Sequence, residues 1–212
     1  MLARRTILGS SKKGKMKTMN IGITGPRPVK LWGYDYSDRR WQYLKSYIKN
    51  RLLQLNCKRF YTGMALGVDT VGAQAVLELK EEGHDIKLVA IIPCAGQSNK
   101  WPMESKMLYY DILSNADEIY GTADTTPTCA IKLRLSGDAD NPRFYLADNN
   151  PSYEYMVSYY PEIMQKRNIL VVDSVDKLLA VWNGTSGGTA NCVSYARSCF
   201  KDIEIINPDY IQ

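Results

Sequence analysis

A loop near the end of the chain has the composition of a phosphate-binding loop. Three glycines and three hydroxyl side chains immediately precede a predicted helix, and the backbone N–H groups at a helix N-terminus bind phosphate well. The loop lacks the lysine of a Walker A motif, so the sequence does not support ATP hydrolysis of that type. The candidate ligand-binding residues of this loop are Gly184, Thr185, Ser186, Gly187, Gly188 and Thr189.

Two further loops offer a cation, a polar amide and an aromatic face. Thr24 and Gly25 end a predicted strand and are followed by Arg27, whose planar guanidinium suits phosphate or carboxylate. The alternative is a plain Gly-Pro turn. After another strand, Gln97 could hydrogen-bond a base or nicotinamide ring and Trp101 could stack on it. We expect both loops to contribute to the same ligand site.

A fourth loop, at residues 62–69, contains Gly63, Gly67 and Asp69 between a strand and a helix. Its glycines predict backbone N–H groups open to an anion. Asp69 could hydrogen-bond ribose hydroxyls, or it could be a carboxylate favoured by the start of a helix. Asp69 and Asp173 are the only carboxylates that the sequence predicts at strand ends, so an enzyme would have to use one of them.

Other catalytic and metal-binding chemistry finds little support in the sequence. The chain has a single histidine, His84, which excludes a zinc site with two histidines. His84 also lies where the sequence predicts an exposed end of a helix. Five cysteines occur without a C-x-x-C pair, as is typical of reduced thiols in a cytoplasmic protein. Cys94 has no predicted partner that could activate it as a nucleophile. We therefore expect no metal site and no required cofactor.

Length and charge indicate one globular domain preceded by a basic arm. The chain has 212 residues, with 45% hydrophobic and 23% charged residues, and it contains neither a membrane-length apolar run nor a secretory signal. Six of its 27 Lys and Arg residues lie in the first 17 positions, where no acid occurs, and the remaining bases nearly balance the 22 acids. The predicted units are a flexible arm at 1–18 and a domain at 19–212. Because the basicity lies in the arm, we expect neither nucleic-acid nor membrane binding by the domain.

Apolar runs alternate with segments of helical periodicity, which predicts a Rossmann-like α/β fold with a mostly parallel sheet and helices on both faces. Residues 122–151 interrupt the alternation and predict an insertion, with a strand at 129–135. Beyond it we expect a tyrosine-rich helix at 152–166, a strand at 168–172 and a short helix from about Val175. The tyrosines of the first of these favour packing or a subunit contact, with base stacking as the alternative, and we expect a homo-oligomer.

The separated motifs together resemble one family, the YpsA-like family of the SLOG superfamily. The resemblance runs from about residue 20 to 196, interrupted by the insertion. The motifs that carry it are GITGPRP (22–28), YTGMALGVDTVGAQAV (61–76), IIPCAGQSNKW (91–101), RNILVVDSVDKLLAVWNGTSGGT (167–189) and VSYA (193–196).

This resemblance implies a Rossmann-like domain that binds nucleotides or nucleotide-derived ligands. Its LOG-type relatives are phosphoribohydrolases with a P-G-G-x-G-T-x-x-E motif. Gly187, Gly188 and Thr189 match the phosphate-binding part of that motif, but Ala190, Asn191 and Cys192 follow and the glutamate is missing. We therefore expect a binding protein that senses or sequesters an ADP-ribose, NAD-type or cyclic-nucleotide signal, such as a counter-defence sponge. The alternatives are a nucleotide N-glycosidase and a DprA-like nucleic-acid adaptor.

Overall fold

Strands and helices alternate along most of the chain, as the hydrophobic patterns predict. The computed structural model describes residues 17–137, 140–147 and 152–212, so nearly all of the predicted arm lies outside the described residues. The elements in chain order are β1 (Met19–Thr24), α1 (Arg39–Gln54), β2 (Cys57–Thr62), α2 (Val68–Glu81), β3 (Lys87–Ile92), α3 (Met103–Ser114), β4 (Glu118–Thr122), β5 (Ala130–Ser136), β6 (Arg143–Leu146), α4 (Pro161–Asp173), β7 (Lys177–Val181), α5 (Gly188–Ser198) and β8 (Asp202–Ile206).

The strands form one sheet in the order β6-β5-β4-β3-β2-β1-β7-β8. All neighbours pair in parallel except β4 with β5 and β5 with β6. The chain builds outward from β1 to β6 and then crosses to the other side of β1, where Thr24 pairs with Ala180 of β7. The strand order therefore reverses between β1 and β7, which is where ligands bind in open parallel sheets.

Helices cover both faces of this sheet, which confirms the predicted Rossmann-like α/β class. Leu88 and Ala90 of β3 pack in the larger core with α1, α2 and α3, whereas Val89 and Ile91 pack against α4. Successive side chains of a strand point to opposite faces. Because both faces of β3 are buried, the strand is an unbroken apolar run rather than an alternating one.

Helix α4 corrects three sequence predictions. The expected helix at 152–166 starts only at Pro161, because proline favours the first helical position and holds Tyr160 in an extended conformation with φ −147° and ψ 159°. The expected strand at 168–172 is the second half of α4, since a short apolar run does not by itself distinguish a strand from a buried helix. No helix follows at Val175, where a tight connection leads directly into β7.

Within the predicted insertion, β5 and β6 form a hairpin that extends the sheet beyond β4. The chain then returns along the sheet as an extended stretch at 152–160 that leads into α4. The hydroxyl of Tyr155 anchors this stretch, because it lies 3.0 Å from the carbonyl oxygen of Pro93 and 2.8 Å from that of Thr122. Residues 152–160 thus lie beside the loop that follows β3.

Candidate functional site

A cavity of about 330 Å³ lies at the carboxyl ends of β1 and β7, where the strand order reverses. We call it the first cavity. The loops after β1 and β7 supply most of its wall, and α4 and the start of α2 complete it. The sequence-predicted residues that the structure brings together here are Thr24, Gly25, Arg27, Asp69, Thr185, Ser186, Gly187, Gly188 and Thr189.

The N-terminus of α5 is open towards this cavity. Gly187 is its N-cap residue, with φ +137°, and no side chain caps the helix. A Cβ atom at Gly188 would have no heavy atom within 4 Å. The first turn of a helix leaves backbone N–H groups without intrahelical partners. Those of α5 are therefore available to an anion.

The start of the same loop is held in place by hydrogen bonds. The indole N–H of Trp182 donates to the Thr185 carbonyl oxygen at 2.7 Å. The Thr185 hydroxyl donates to the Asn183 side chain at 3.0 Å, and Asn183 in turn contacts Asp209. Gly184 is exposed in this part of the loop. The loop is thus fixed where it leaves β7 and uncapped where it enters α5.

Three cations line the first cavity, against one carboxylate. Arg27 and Lys30 follow β1 and are exposed, and within the described part of the chain neither side chain forms an ion pair. The Lys30 ammonium lies 3.6 Å from the position that a Cβ atom of Gly187 would occupy. The third cation, Arg167, comes from α4 and is only 5% exposed. This charge balance favours an anionic ligand.

Arg167 forms a buried ion pair with Asp69, its Nη1 lying 3.1 Å from the carboxylate. Burial raises the pKa of the Asp69 carboxyl, and the Arg167 guanidinium and the Ala65 amide oppose that shift. The Nε of Arg167 is buried and has no hydrogen-bond partner among the described residues. A buried ion pair carries a large desolvation cost. Arg167 thus brings a permanent positive charge to the wall of the first cavity.

Gly63 makes room for that guanidinium. A Cβ atom there would lie 1.2 Å from Nη1 of Arg167, so no other residue fits without displacing the arginine. Gly67 adopts φ +95°, and a Cβ atom on it would lie 2.6 Å from the Pro26 carbonyl oxygen. Both glycines thus serve close packing and backbone geometry next to the first cavity.

Three amides of the turn at residues 62–67 have partners within the protein. Met64 donates to the Thr62 hydroxyl at 3.1 Å, and Ala65 donates to Asp69 at 3.2 Å. Gly67 donates to the Tyr36 hydroxyl at 2.9 Å. The sequence predicts that this loop opens its backbone N–H groups to an anion. That prediction is wrong for these three amides, because the side chains of Thr62, Asp69 and Tyr36 already accept their hydrogen bonds.

Gln97 and Trp101 lie outside the first cavity. The Gln97 amide donates to the carbonyl oxygens of Gly63 and Met64 and so supports the turn at residues 62–67. The side-chain oxygen of Gln97 is buried and has no partner among the described residues. Trp101 packs edge-on against Tyr109, with ring centroids 5.2 Å apart. Both line a neighbouring second cavity of about 590 Å³, and Arg27 lines both cavities.

The predicted alternatives for catalysis are not all near the first cavity. Asp173 is the last residue of α4 and accepts from the Tyr195 hydroxyl at 3.0 Å, at the opposite end of the sheet from the site. Its expected position at a strand end is therefore wrong, because 168–172 is helical. Cys192 does line the cavity, but burial raises the pKa of its thiol to about 11. Burial also raises the pKa of Cys94. Neither thiol is poised as a nucleophile.

Sequence reasoning missed Arg167 and Lys30. Arg167 was placed just before a supposed strand, so nothing indicated that it faces the site. Lys30 follows Arg27 by one short turn, and its nearness to Gly187 depends on how the loops after β1 and β7 fold towards each other. In the described residues, no group of three His, Cys, Asp or Glu side chains could hold a metal ion.

The fold and the site define a Rossmann-like domain with an anion-binding cavity at its strand reversal. The chain belongs to the YpsA family, described as the YspA SLOG family, whose family model matches residues 21–134. This confirms the resemblance that the sequence motifs indicate. None of the described helices is long and apolar enough to span a bilayer.

Two relatives come from Bacillus subtilis (strain 168). The uncharacterized SPbeta prophage-derived protein YoqJ is 28% identical over 169 residues, which cover 79% of this chain and 86% of YoqJ. The UPF0398 protein YpsA is 32% identical over 100 residues, which cover 46% of this chain and 56% of YpsA. This chain therefore matches little more than half of YpsA.

A solved structure of DNA processing protein A from Helicobacter pylori has a similar fold. It superposes with a TM-score of 0.50 at 15% sequence identity, and the match covers 89% of this chain and 65% of that one. At this identity the likeness concerns the fold alone. It agrees with membership of the SLOG superfamily.

Proposed function

We propose that this protein binds a nucleotide-derived small molecule through a phosphate group seated at the N-terminus of α5. The observation that carries the proposal is the open, uncapped start of α5 in a cavity that is also lined by Lys30, Arg27 and Arg167. Charge-assisted hydrogen bonds to phosphate are among the strong ones in proteins. The family supports a ligand of the ADP-ribose, NAD or cyclic-nucleotide type.

We further propose that the ligand is bound and released unchanged. General acid–base catalysis needs a group that can exchange a proton with the reacting atoms. Asp69 is the one acidic side chain among the described residues that line the first cavity, and Arg167 and the Ala65 amide already engage it. The glutamate expected of a phosphoribohydrolase is replaced around Asn191 and Cys192.

Sensing and sequestration both fit a site that binds without turnover. The prophage origin in the name of YoqJ supports sequestration, in which a phage-carried protein withdraws a nucleotide signal from its host. Five unpaired cysteines suit the reducing cytoplasm, where such a signal would be met. We therefore propose a cytoplasmic nucleotide-binding protein of the sequestering kind.

Mass spectrometry of the purified protein tests binding and turnover together. Small molecules released on denaturation are identified directly, and the protein is then incubated with ADP-ribose, NAD and cyclic ADP-ribose. We expect intact ligand to be recovered after hours. Steady formation of a free base and a ribose product would contradict the proposal. Such turnover should be lost in Asp69→Asn and kept in Asp173→Asn, because only Asp69 reaches the cavity.

A bulky side chain at the start of α5 tests the phosphate position. A Cβ atom at residue 188 would meet no heavy atom within 4 Å in the protein, so we expect the far-UV circular dichroism of Gly188→Val to match that of the wild type. Its affinity for the recovered ligand should nevertheless fall, because the side chain occupies the space in front of the amides. Unchanged affinity by calorimetry would remove this loop from the site.

DNA binding is the other outcome that the experiments must separate. The Helicobacter pylori protein with the similar fold is described as binding single-stranded DNA. We expect a chain beginning at Met19 to keep its affinity for the small ligand, since all the described residues that line the first cavity follow Met19. Salt-sensitive DNA binding that disappears on this truncation would instead favour an adaptor role.

A further inference from the structure

The second cavity has the composition of a site for a flat ring. Aromatic side chains from separate segments line it, among them Tyr34 after β1, Trp101 after β3 and Tyr159 before α4. Tyr34 is 48% exposed and Tyr159 is 60% exposed, so much of each ring is uncovered. Asn99, Lys100 and Glu154 add polar groups to the wall. Ligand pockets commonly combine aromatic walls with a few polar groups in about 300–1,000 Å³.

The second cavity adjoins the first, because the two share a lining residue and have others that are neighbours in the chain. Arg27 lines both cavities. Ala65 lines the first cavity and the adjacent Leu66 lines the second. Tyr159 of the second cavity is joined by a short stretch of chain to Met164 of the first. A ligand group bound at Arg27 therefore lies against both cavities.

We propose that the two cavities form a single site for a nucleoside diphosphate or its ester, with the phosphates at the start of α5 and beside Arg27 and the base in the second cavity. This inference rests on the proposed function and extends it from the phosphate to the position of the base and the side chains that hold it. The cations are distributed accordingly. Lys30 and Arg167 face the first cavity, Arg27 lies at the junction, and Lys100 lies on the second.

Tyr34 and Tyr159 provide the faces on which the base stacks. Stacking on aromatic side chains tolerates different bases, because every base has a π-face. Tyr34 and Tyr159 come from segments that are far apart in the chain, and both line the second cavity with much of each ring uncovered. The polar side chains at the rim can meet the base edges and the ribose.

Calorimetric titration with pyrophosphate and with ADP, GDP, CDP and UDP tests this inference. At least one nucleoside diphosphate should bind ten-fold or more tightly than pyrophosphate. Tyr159→Ala should weaken that nucleotide about 5- to 100-fold, the range expected for one lost stacking face, and leave pyrophosphate within two-fold. Tyr34→Ala should act in the same direction.

Tyr153→Ala is the matched control, since Tyr153 lies on the same 152–160 stretch, is 63% exposed and does not line either cavity. It should change neither affinity. The inference is overturned if all four nucleotides bind no better than pyrophosphate, or if Tyr159→Ala and Tyr34→Ala behave like Tyr153→Ala. Absence of pyrophosphate binding would instead refute the proposed function itself. Tyrosine-dependent binding of oligodeoxythymidine without binding of any nucleoside diphosphate would assign the surface to single-stranded DNA.

Discussion

Two turns of this protein look alike in sequence and differ in what their amide groups do. The turn at 62–67 and the turn at 184–188 both leave a parallel strand, contain glycines and enter a helix. In the first, which we call the closed turn, Tyr36, Thr62 and Asp69 accept the backbone N–H groups. In the second, the open turn, α5 begins without a capping side chain.

Glycine accordingly occurs in the two turns for different physical reasons. Gly63 is there because a Cβ atom would collide with the Arg167 guanidinium, whereas Gly188 has empty space where its Cβ would be. One glycine permits packing and the other leaves room for a ligand. A glycine-rich strand-to-helix turn therefore predicts an anion site only where its amides lack protein partners.

The largest expected effect is that of a single methyl group in the closed turn. Gly63→Ala should lower the free energy of unfolding by about 5 kcal/mol, because the new Cβ overpacks the site and drives Arg167 away from Asp69. Gly188→Ala should stay within about 0.5 kcal/mol of the wild type. Urea denaturation of both variants measures the difference. Similar free energies of unfolding for the two variants would contradict the different roles of Gly63 and Gly188.

Next in size is the loss of the buried cation behind the closed turn. Arg167→Met should cost about 3 kcal/mol at pH 7, because Asp69 is left buried without its partner. The double variant Arg167→Met/Asp69→Asn should lose less than the two single variants combined. Additive losses in this cycle would show that the pair does not interact as described.

The same pair predicts the pH dependence of stability. Burial raises the pKa of Asp69 in the folded protein above the unfolded value of about 3.9, so the folded chain binds more protons in the window between the two values. The free energy of unfolding therefore falls as pH rises through that window. Without Arg167 the folded pKa is higher still. The Arg167→Met penalty should be smaller at pH 4 than at pH 7, and a penalty independent of pH would contradict this account.

Substitutions of Arg27 test the cavity in front of the open turn. Arg27→Ala should weaken pyrophosphate binding about ten- to a hundredfold, as expected for one charged hydrogen bond, and leave stability unchanged because the side chain is exposed. Arg27→Lys should restore part of the affinity, since the planar fork is lost. Arg39→Ala removes the same charge from an exposed site outside both cavities and should have no effect on calorimetric affinity. An equal loss of pyrophosphate affinity in Arg27→Ala and Arg39→Ala would mean that Arg27 acts only through its contribution to the overall charge.

The smallest effect is expected at the hydroxyl that closes the turn at Gly67. Tyr36→Phe leaves that amide without its 2.9 Å acceptor and should cost about 1 kcal/mol. Tyr34→Phe removes a hydroxyl from an exposed neighbour and should change the free energy of unfolding by less than about 0.5 kcal/mol. Thermal or urea unfolding distinguishes the pair of variants. No loss in Tyr36→Phe would mean that water replaces the hydroxyl at this amide.

The sequence allowed the fold class and the open turn to be predicted because both depend on local signals. Alternating apolar runs and helical periodicity define the sheet and its helices, and Gly187 and Gly188 stand at the start of α5. Arg167 escaped prediction because its partner Asp69 lies 98 residues away along the chain. The closed state of the first turn escaped for the same reason only in part, since Tyr36 reaches the Gly67 amide from a distant loop, whereas Thr62 and Asp69 are close in the chain to the amides that they accept.

The most direct test of the difference between the two turns is a pyrophosphate titration followed by amide ¹H–¹⁵N NMR. The account predicts the largest shift changes at the amides of Gly188, Thr189 and Ala190, whereas those of Met64 and Gly67 move little because their hydrogen bonds persist. Saturating changes at the closed turn with none at the start of α5 would contradict it. A spectrum unchanged at both turns would show that the open helix N-terminus does not bind phosphate.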